Sequence, residues 1–294
     1  MSRKWIPVLV ASTLAVNLLG TPPAAGAATS PDGGGRAIAG GTPAVRQSAV
    51  SALASPPAGY TIQGIDVSSH DHNLGPINWA GVVAEGNKFV YIKATEGNDY
   101  LNPFFNGDYT AAKAAGLFVG AYHFARPDGR DPVGEANYFI DNMRWAKDSR
   151  TLVPMLDFEW PYWAGAPTCY GLTPAELTNW VRVFTDQVKA RIGRPMMIYT
   201  NTNFWNPCTN SDASFGGLLL DIAGYTTSRP PLPAGWATET IWQYAPGDPS
   251  QPGNYSKNVL KGDYASLTRL TSPEVSIAPP GPRMPRRPIA PKLR

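Results

Sequence analysis

Apolar positions in this chain fall into short continuous runs, separated by stretches that carry a helical repeat. The runs Thr61–Val67, Phe89–Thr95, Phe118–Phe124, Thr151–Glu159 and Pro195–Thr200 are rich in Val, Ile, Phe and Tyr, and they read as strands buried on both faces. Between them lie helical patterns with recognisable ends. Asn78–Glu85 is short, and Asn102–Ala115 stops at Gly116, a residue suited to a left-handed C-cap. Asp131-Pro132 places an N-cap before a Pro at the first helical position. Thr173-Pro174-Ala175-Glu176 is a capping box whose helix runs to about Ile192 and closes at Gly193. Five strand–helix units predict a parallel sheet with right-handed crossovers. After Thr200 the pattern changes to short strands, Leu218–Ala223, Thr240–Tyr244 and Val259–Tyr264, joined by loops rich in Pro and Gly. Eight strands and about five helices make a TIM-barrel-like α/β barrel whose last third has lost most of its helical coat.

The chain ends change this picture only at its margins. Arg3-Lys4, an apolar stretch from Trp5 to Leu19 and Ala25-Gly26-Ala27 have the layout of a secretory signal peptide over residues 1–27. Pro7, Ser12, Thr13 and Asn17 interrupt the apolar stretch, which falls short of the ~20 apolar residues a membrane span needs, so no stable membrane anchor is expected. Residues 28–59 are mostly Gly, Ala, Ser and Pro and read as a flexible linker. Residues 273–294 are rich in Pro and Arg and read as a disordered tail. A single catalytic domain is left at 60–272. The formal charge is +3, but Arg3 and Lys4 carry +2 of it and the tail +4, which leaves −3 on the residues between. A mildly acidic body has no basic face for nucleic acid. Cys169 and Cys208 both sit in loops after predicted strands, and an even count in an exported chain predicts a disulfide between them.

The candidate chemistry gathers at the predicted strand ends. Asp157-Phe158-Glu159 closes the run that begins at Thr151, and alternation along a strand sends both acids to one face and Phe158 to the other. Glycosidic-bond hydrolysis needs such a pair, one group protonated to give a proton to the leaving oxygen and one ionised. Reading the other strand ends adds Asp66, Lys93, Glu96, Tyr122, Tyr199, Trp242 and Asp263 to the same rim. Carboxylates ringed by aromatic side chains suit a carbohydrate groove, in which rings stack on sugars and polar groups orient hydroxyls.

Four segments carry a resemblance: Gly64-Ile65-Asp66-Val67-Ser68-Ser69-His70, Tyr91-Ile92-Lys93-Ala94-Thr95-Glu96-Gly97, Gly120-Ala121-Tyr122-His123-Phe124-Ala125-Arg126 and Leu156-Asp157-Phe158-Glu159. In this order the chain resembles the Chalaropsis-type lysozymes, glycoside hydrolase family 25, from about Tyr60 to Leu270. The resemblance implies a (β/α)5β3 barrel and cleavage of the β-1,4 bond between N-acetylmuramic acid and N-acetylglucosamine in peptidoglycan glycan strands, by a monomer with no cofactor and no metal. It implies Glu159 as general acid and Asp157 as its companion, with Asp66 and Asp263 as further acids. It also implies Lys93, Tyr100, Tyr122, Tyr199 and Trp242 as groove residues.

Two residues apart on a strand is roughly 6.5 Å between Cα atoms, between the ~5–5.5 Å of retaining carboxyl pairs and the ~6.5–9.5 Å of inverting ones. Retaining, inverting and substrate-assisted routes all stay open on spacing. A chitinase motif would need Asp at positions that hold Leu152 and Met155. A non-catalytic wall-binding barrel would have no need of Glu159. His70-Asp71-His72 reads as loop hydrogen bonding, since two His without a third clustered partner make a poor metal site. One position departs from the family pattern: Asp221 stands before Ile222-Ala223-Gly224-Tyr225, where a Trp is common.

Overall fold

A computed structural model describes residues 55–271. The expected signal peptide, most of the expected linker and the expected tail lie outside them. β1 (Ile62–Val67), β2 (Phe89–Glu96), β4 (Phe118–Phe124), β5 (Met155–Asp157), β6 (Met197–Thr200), β7 (Leu219–Ala223) and β8 (Ile241–Ala245) pair in sequence, all parallel. β9 (Ser256–Leu260) lies antiparallel between β8 and β1 and closes the barrel. The two-residue β3 (Tyr100–Leu101) folds back on the end of β2. The expected eight-stranded barrel is present, with the ends of its parallel strands forming one rim and their beginnings the floor.

Three of the helices start at the capping residues Asn78, Asp131 and Thr173. The helices are α1 (Trp79–Ala84), α2 (Phe105–Ala114), α3 (Pro132–Asn142), α4 (Pro174–Ile192), α5 (Thr202–Thr209) and α6 (Tyr264–Arg269). In α4 the Thr173 hydroxyl accepts from the Glu176 amide and the Glu176 carboxylate accepts from the Thr173 amide, while Gly193 takes the left-handed conformation that ends the helix. Leu177, Trp180, Val181, Phe184 and Val188 recur at helical spacing and form its buried face. Each such side chain is worth about 1.5–3 kcal/mol of burial. Phe158 is stacked parallel to Trp180 with ring centroids 6.4 Å apart, so the residue between the two candidate acids is the one that anchors them to the helical layer.

Inside the barrel a second apolar layer, Ile62, Phe89, Tyr91, Phe118, Met155, Met197, Ile241 and Leu260, fills the floor. Two large rings fit there only because glycines face them. A Cβ at Gly64 would come within 2.6 Å of Phe89, and one at Gly120 would overlap Tyr91. The rim of the barrel is therefore the end left for polar groups.

The structure differs from the sequence reading in several places, among them β3 and α6, which were not expected. Thr151–Glu159 is a strand only over Met155–Asp157, because Pro154 has no amide for the ladder. α5 was not expected; Asn201 caps it and Pro207 lies inside it. The last strand runs over Ser256–Leu260, earlier in the chain than Val259–Tyr264, and heads from rim to floor.

Candidate active site

β5 ends at Asp157, and Glu159 follows two residues later; both are buried, at 4 % and 3 % exposure. The Phe158 amide donates to the Tyr199 carbonyl at 2.9 Å, and Tyr170 donates its hydroxyl to the Glu159 carbonyl at 2.8 Å, which fixes the backbone on both sides of the acids. Burial, followed by the negative charge of Asp66 and opposed by Lys93, pushes Glu159 up to about 8. Asp157 is also pushed well above the carboxylate range, by burial and then by the charge of Glu159, and its Oδ1 has no protein partner. A buried carboxyl that keeps its proton at neutral pH is what a general acid requires.

β2 supplies the cation beside this pair. Lys93 is fully buried, with Nζ 2.6 Å from Glu96 Oε2 and lying over the rings of Phe124 and Tyr100 at 5.0 and 5.4 Å. The other Glu96 oxygen accepts from the Tyr162 hydroxyl at 2.7 Å and pairs with Arg126 at 3.4 Å. Arg126 in turn lies over the Trp163 ring at 4.1 Å, so the loop that follows Glu159 is fastened to the acid cluster by charge and aromatic contact. Tyr100, on β3, donates to Ser69 at 3.1 Å and walls the same side of the rim.

The rim continues to Asp66 at the end of β1, the strand beside β2. Its Oδ2 accepts from Gln243 Nε2 and Asn258 Nδ2, both at 2.7 Å. Gln243 Oε1 accepts from the hydroxyls of Tyr199 (2.9 Å) and Tyr225 (2.7 Å). Tyr122 faces the barrel interior and, with Asp66, Ser68, His70 and Ser256, lines a small cleft at the rim.

Asp66, Lys93, Asp157, Glu159, Tyr100, Tyr122 and Tyr199 thus stand together. Two expected site residues do not. Asp263 is the N-cap of α6, accepts from Ser266 at 2.9 Å, and lies beyond the floor end of β9. The strand runs downward, so its rim end is Ser256, opposite Asp66. Trp242 faces outward, where its indole donates to the Gly224 carbonyl at 2.7 Å and its ring meets Tyr60. Strand alternation gives the inward position to Gln243, its neighbour. The signal for Gln243 was present as an amide inside the apolar run Ile241–Ala245. For Tyr225, Tyr162 and Asn258 there was none, because their partners lie far away along the chain.

His123 also points away from the groove, between Thr95 Oγ1 (2.8 Å) and Glu135 Oε2 (3.0 Å), and burial pushes it down to about 3. His72 contacts Asp108 at 2.7 Å and stacks on Phe104 at 3.8 Å. Among the described residues no three His, Cys, Asp or Glu side chains gather as a metal site, and no helix is long and apolar enough to cross a membrane. Cys169 and Cys208 are joined, with Cα atoms 5.3 Å apart.

Asp221 is neither in the groove nor in solvent. It is 2 % exposed inside the barrel, its Oδ1 has no protein partner, and burial followed by the charge of Asp66 pushes it well above the carboxylate range. A raised carboxyl stays protonated in the fold at pH values where the unfolded chain has lost that proton, so stability falls as pH rises through that interval. Asp221→Asn removes one contribution to the fall. Its melting temperature, compared with that of the parent, should gain more at pH 8 than at pH 5. An equal gain at both values would place the charge change elsewhere.

A closed α/β barrel with a buried acid pair at its rim defines a class of enzyme, the barrel glycosidases. Residues 65–251 match the family model for glycosyl hydrolases family 25, and the chain belongs to that family and is a glycoside hydrolase. It is 39 % identical over 220 residues to lysozyme M1 of Streptomyces globisporus, covering 72 % of this chain and 71 % of that one. It is 38 % identical over 222 residues to the N,O-diacetylmuramidase of Chalaropsis sp, covering 72 % and 100 %. The solved muramidase from Acremonium alcalophilum superposes with a TM-score of 0.67 at 36 % identity, over 72 % of this chain and all of that one.

Proposed function

We propose that this protein is an exported lysozyme that hydrolyses the β-1,4 bond between N-acetylmuramic acid and N-acetylglucosamine in peptidoglycan, with Glu159 as the general acid and Asp157 assisting. The observation that carries the reading is the buried pair at the end of β5, in which Glu159 is pushed up to about 8. Below that pH Glu159 holds the proton that the leaving glycosidic oxygen must receive. Asp66, whose carboxylate accepts two amide N–H groups, is the anion placed to meet the positive charge that develops on the sugar as the bond breaks, and Asp157 stands beside Glu159 to orient the reacting sugar. Tyr100, Tyr122 and Tyr199 give the groove aromatic walls for the rings, and Lys93 tempers the repulsion among the acids. Export rests on the signal-peptide layout of residues 1–27, which fits a substrate outside the cell.

The reading is tested by digesting purified peptidoglycan and identifying the sugar at each new reducing end by reduction and mass spectrometry. Muramitol ends are expected, with kcat/KM falling on the alkaline side near pH 8. Glucosaminitol ends would overturn the bond assignment, and wall binding without new ends would overturn catalysis.

A further inference from the structure

We propose that Gln243 is a positioning residue that acts through Asp66: its amide, locked from behind by two tyrosine hydroxyls, holds the Asp66 carboxylate in its ionised form. This rests on the lysozyme reading above and deepens it. Gln243 is 2 % exposed and sits at the inward-facing centre of β8. Its Oε1 accepts two phenolic hydrogens, from Tyr199 on β6 at 2.9 Å and from Tyr225 after β7 at 2.7 Å. Burial pushes both phenols well above their ordinary value, so both remain donors through the working range of pH. An oxygen that receives two O–H groups has its orientation fixed, and the NH₂ end must then face Asp66, where Nε2 is 2.7 Å from Oδ2.

Asn258 also donates to Asp66 at 2.7 Å, but its other amide atom, Oδ1, is buried without a protein partner. Asp66 itself sets the orientation of Asn258. Gln243 is the amide whose direction is imposed from elsewhere. An N–H that can only donate binds the ionised carboxylate more strongly than the neutral acid and so favours the charged form. Burial pushes Asp66 up, and the donors from Asn258, Gln243 and Ser256 oppose that push.

The charge so maintained serves the reaction twice: it meets the positive charge that develops on the sugar, a service lost at low pH when Asp66 takes up a proton, and it is the neighbouring charge that most favours the proton on Glu159. The other groups around this network are Lys93 and Glu96 on β2, Asp157 on β5, Asp221 on β7, and His70 and Asp71 in the turn after β1. The Gln243 Oε1 itself is taken up by the two phenols.

The test is the pH dependence of kcat/KM on peptidoglycan for the parent, Gln243→Met and Tyr225→Phe, with Glu159→Gln as a control. Losing the Nε2 donor makes Asp66 harder to ionise. The acid limb of the profile should therefore move to higher pH by on the order of one unit in Gln243→Met, from the loss of one hydrogen bond to a buried charge. Tyr225→Phe removes one of the two groups that lock the amide, keeps the ring, and should move the same limb in the same direction by less. A profile lowered by one factor at every pH, with its acid limb unmoved, would give Gln243 a purely structural place and overturn the proposal. If Gln243→Met does not fold, the Tyr225→Phe limb decides on the same terms. A parent that releases no reducing ends overturns the lysozyme reading itself. A parent that is active, a Glu159→Gln control that is not, and unmoved limbs overturn the role of Gln243 alone.

Discussion

Glu159→Gln lowers kcat by about 10²–10⁴-fold at pH 6, the range that a positioned general acid supplies. The amide keeps the size of the side chain, and the Tyr170 hydroxyl still holds the residue-159 carbonyl, so the groove and KM stay close to those of the parent. What is lost is the proton that only the carboxyl can deliver. The sign of the pH dependence follows from the raised value of Glu159, about 8. Below it the parent is competent and the ratio of parent to variant is at its largest. Above it the parent loses its proton and falls towards the variant. Peptidoglycan digestion followed over pH 5–9 checks both features, and a variant within tenfold of the parent at pH 6 would remove Glu159 from the acid role.

Replacing both Cys169 and Cys208 by Ala has the largest expected effect on stability. The bridge closes a loop with a sequence separation of 39, and the chain-entropy estimate for such a loop is about 3–4 kcal/mol. For a domain of this size that corresponds to a melting point lower by roughly 10 °C. The bridge also ties α5 to the turn that carries Tyr170, whose hydroxyl meets the Glu159 carbonyl. Activity should accordingly fall at temperatures well below the new melting point, as the loop loosens around the acid. Calorimetry beside activity measured on a temperature ladder separates the two losses. An unchanged melting point would mean that α5 and the loop are held by packing alone, through Phe204 against Trp160 and Tyr170.

The barrel was legible because its strands are buried on both faces and its main helices carry strong end signals. Thr173, Glu176 and Gly193 delimit α4 by local chemistry alone. The acid pair was legible for the same reason, since alternation places Asp157 and Glu159 on one face whatever the rest of the fold does. Trp242 and Asp263 show the limit. In Ile241-Trp242-Gln243-Tyr244-Ala245 nearly every residue suits either face of a doubly covered strand, so the pattern could not choose between Trp242 and Gln243. Asp263 failed on direction, because composition does not record whether a short strand climbs or descends. α5 was hidden by Pro207 and by its short length. The tyrosine contacts at Gln243 join residues brought together only when the barrel closes.

The downward course of β9 decides how the domain can be joined to other things. Because Ile62 and Leu260 are register partners, the described barrel takes in its chain and releases it on the same side, with the acid pair at the other. A segment joined directly to either end of the described barrel therefore starts from its floor, away from the rim that carries Asp157 and Glu159.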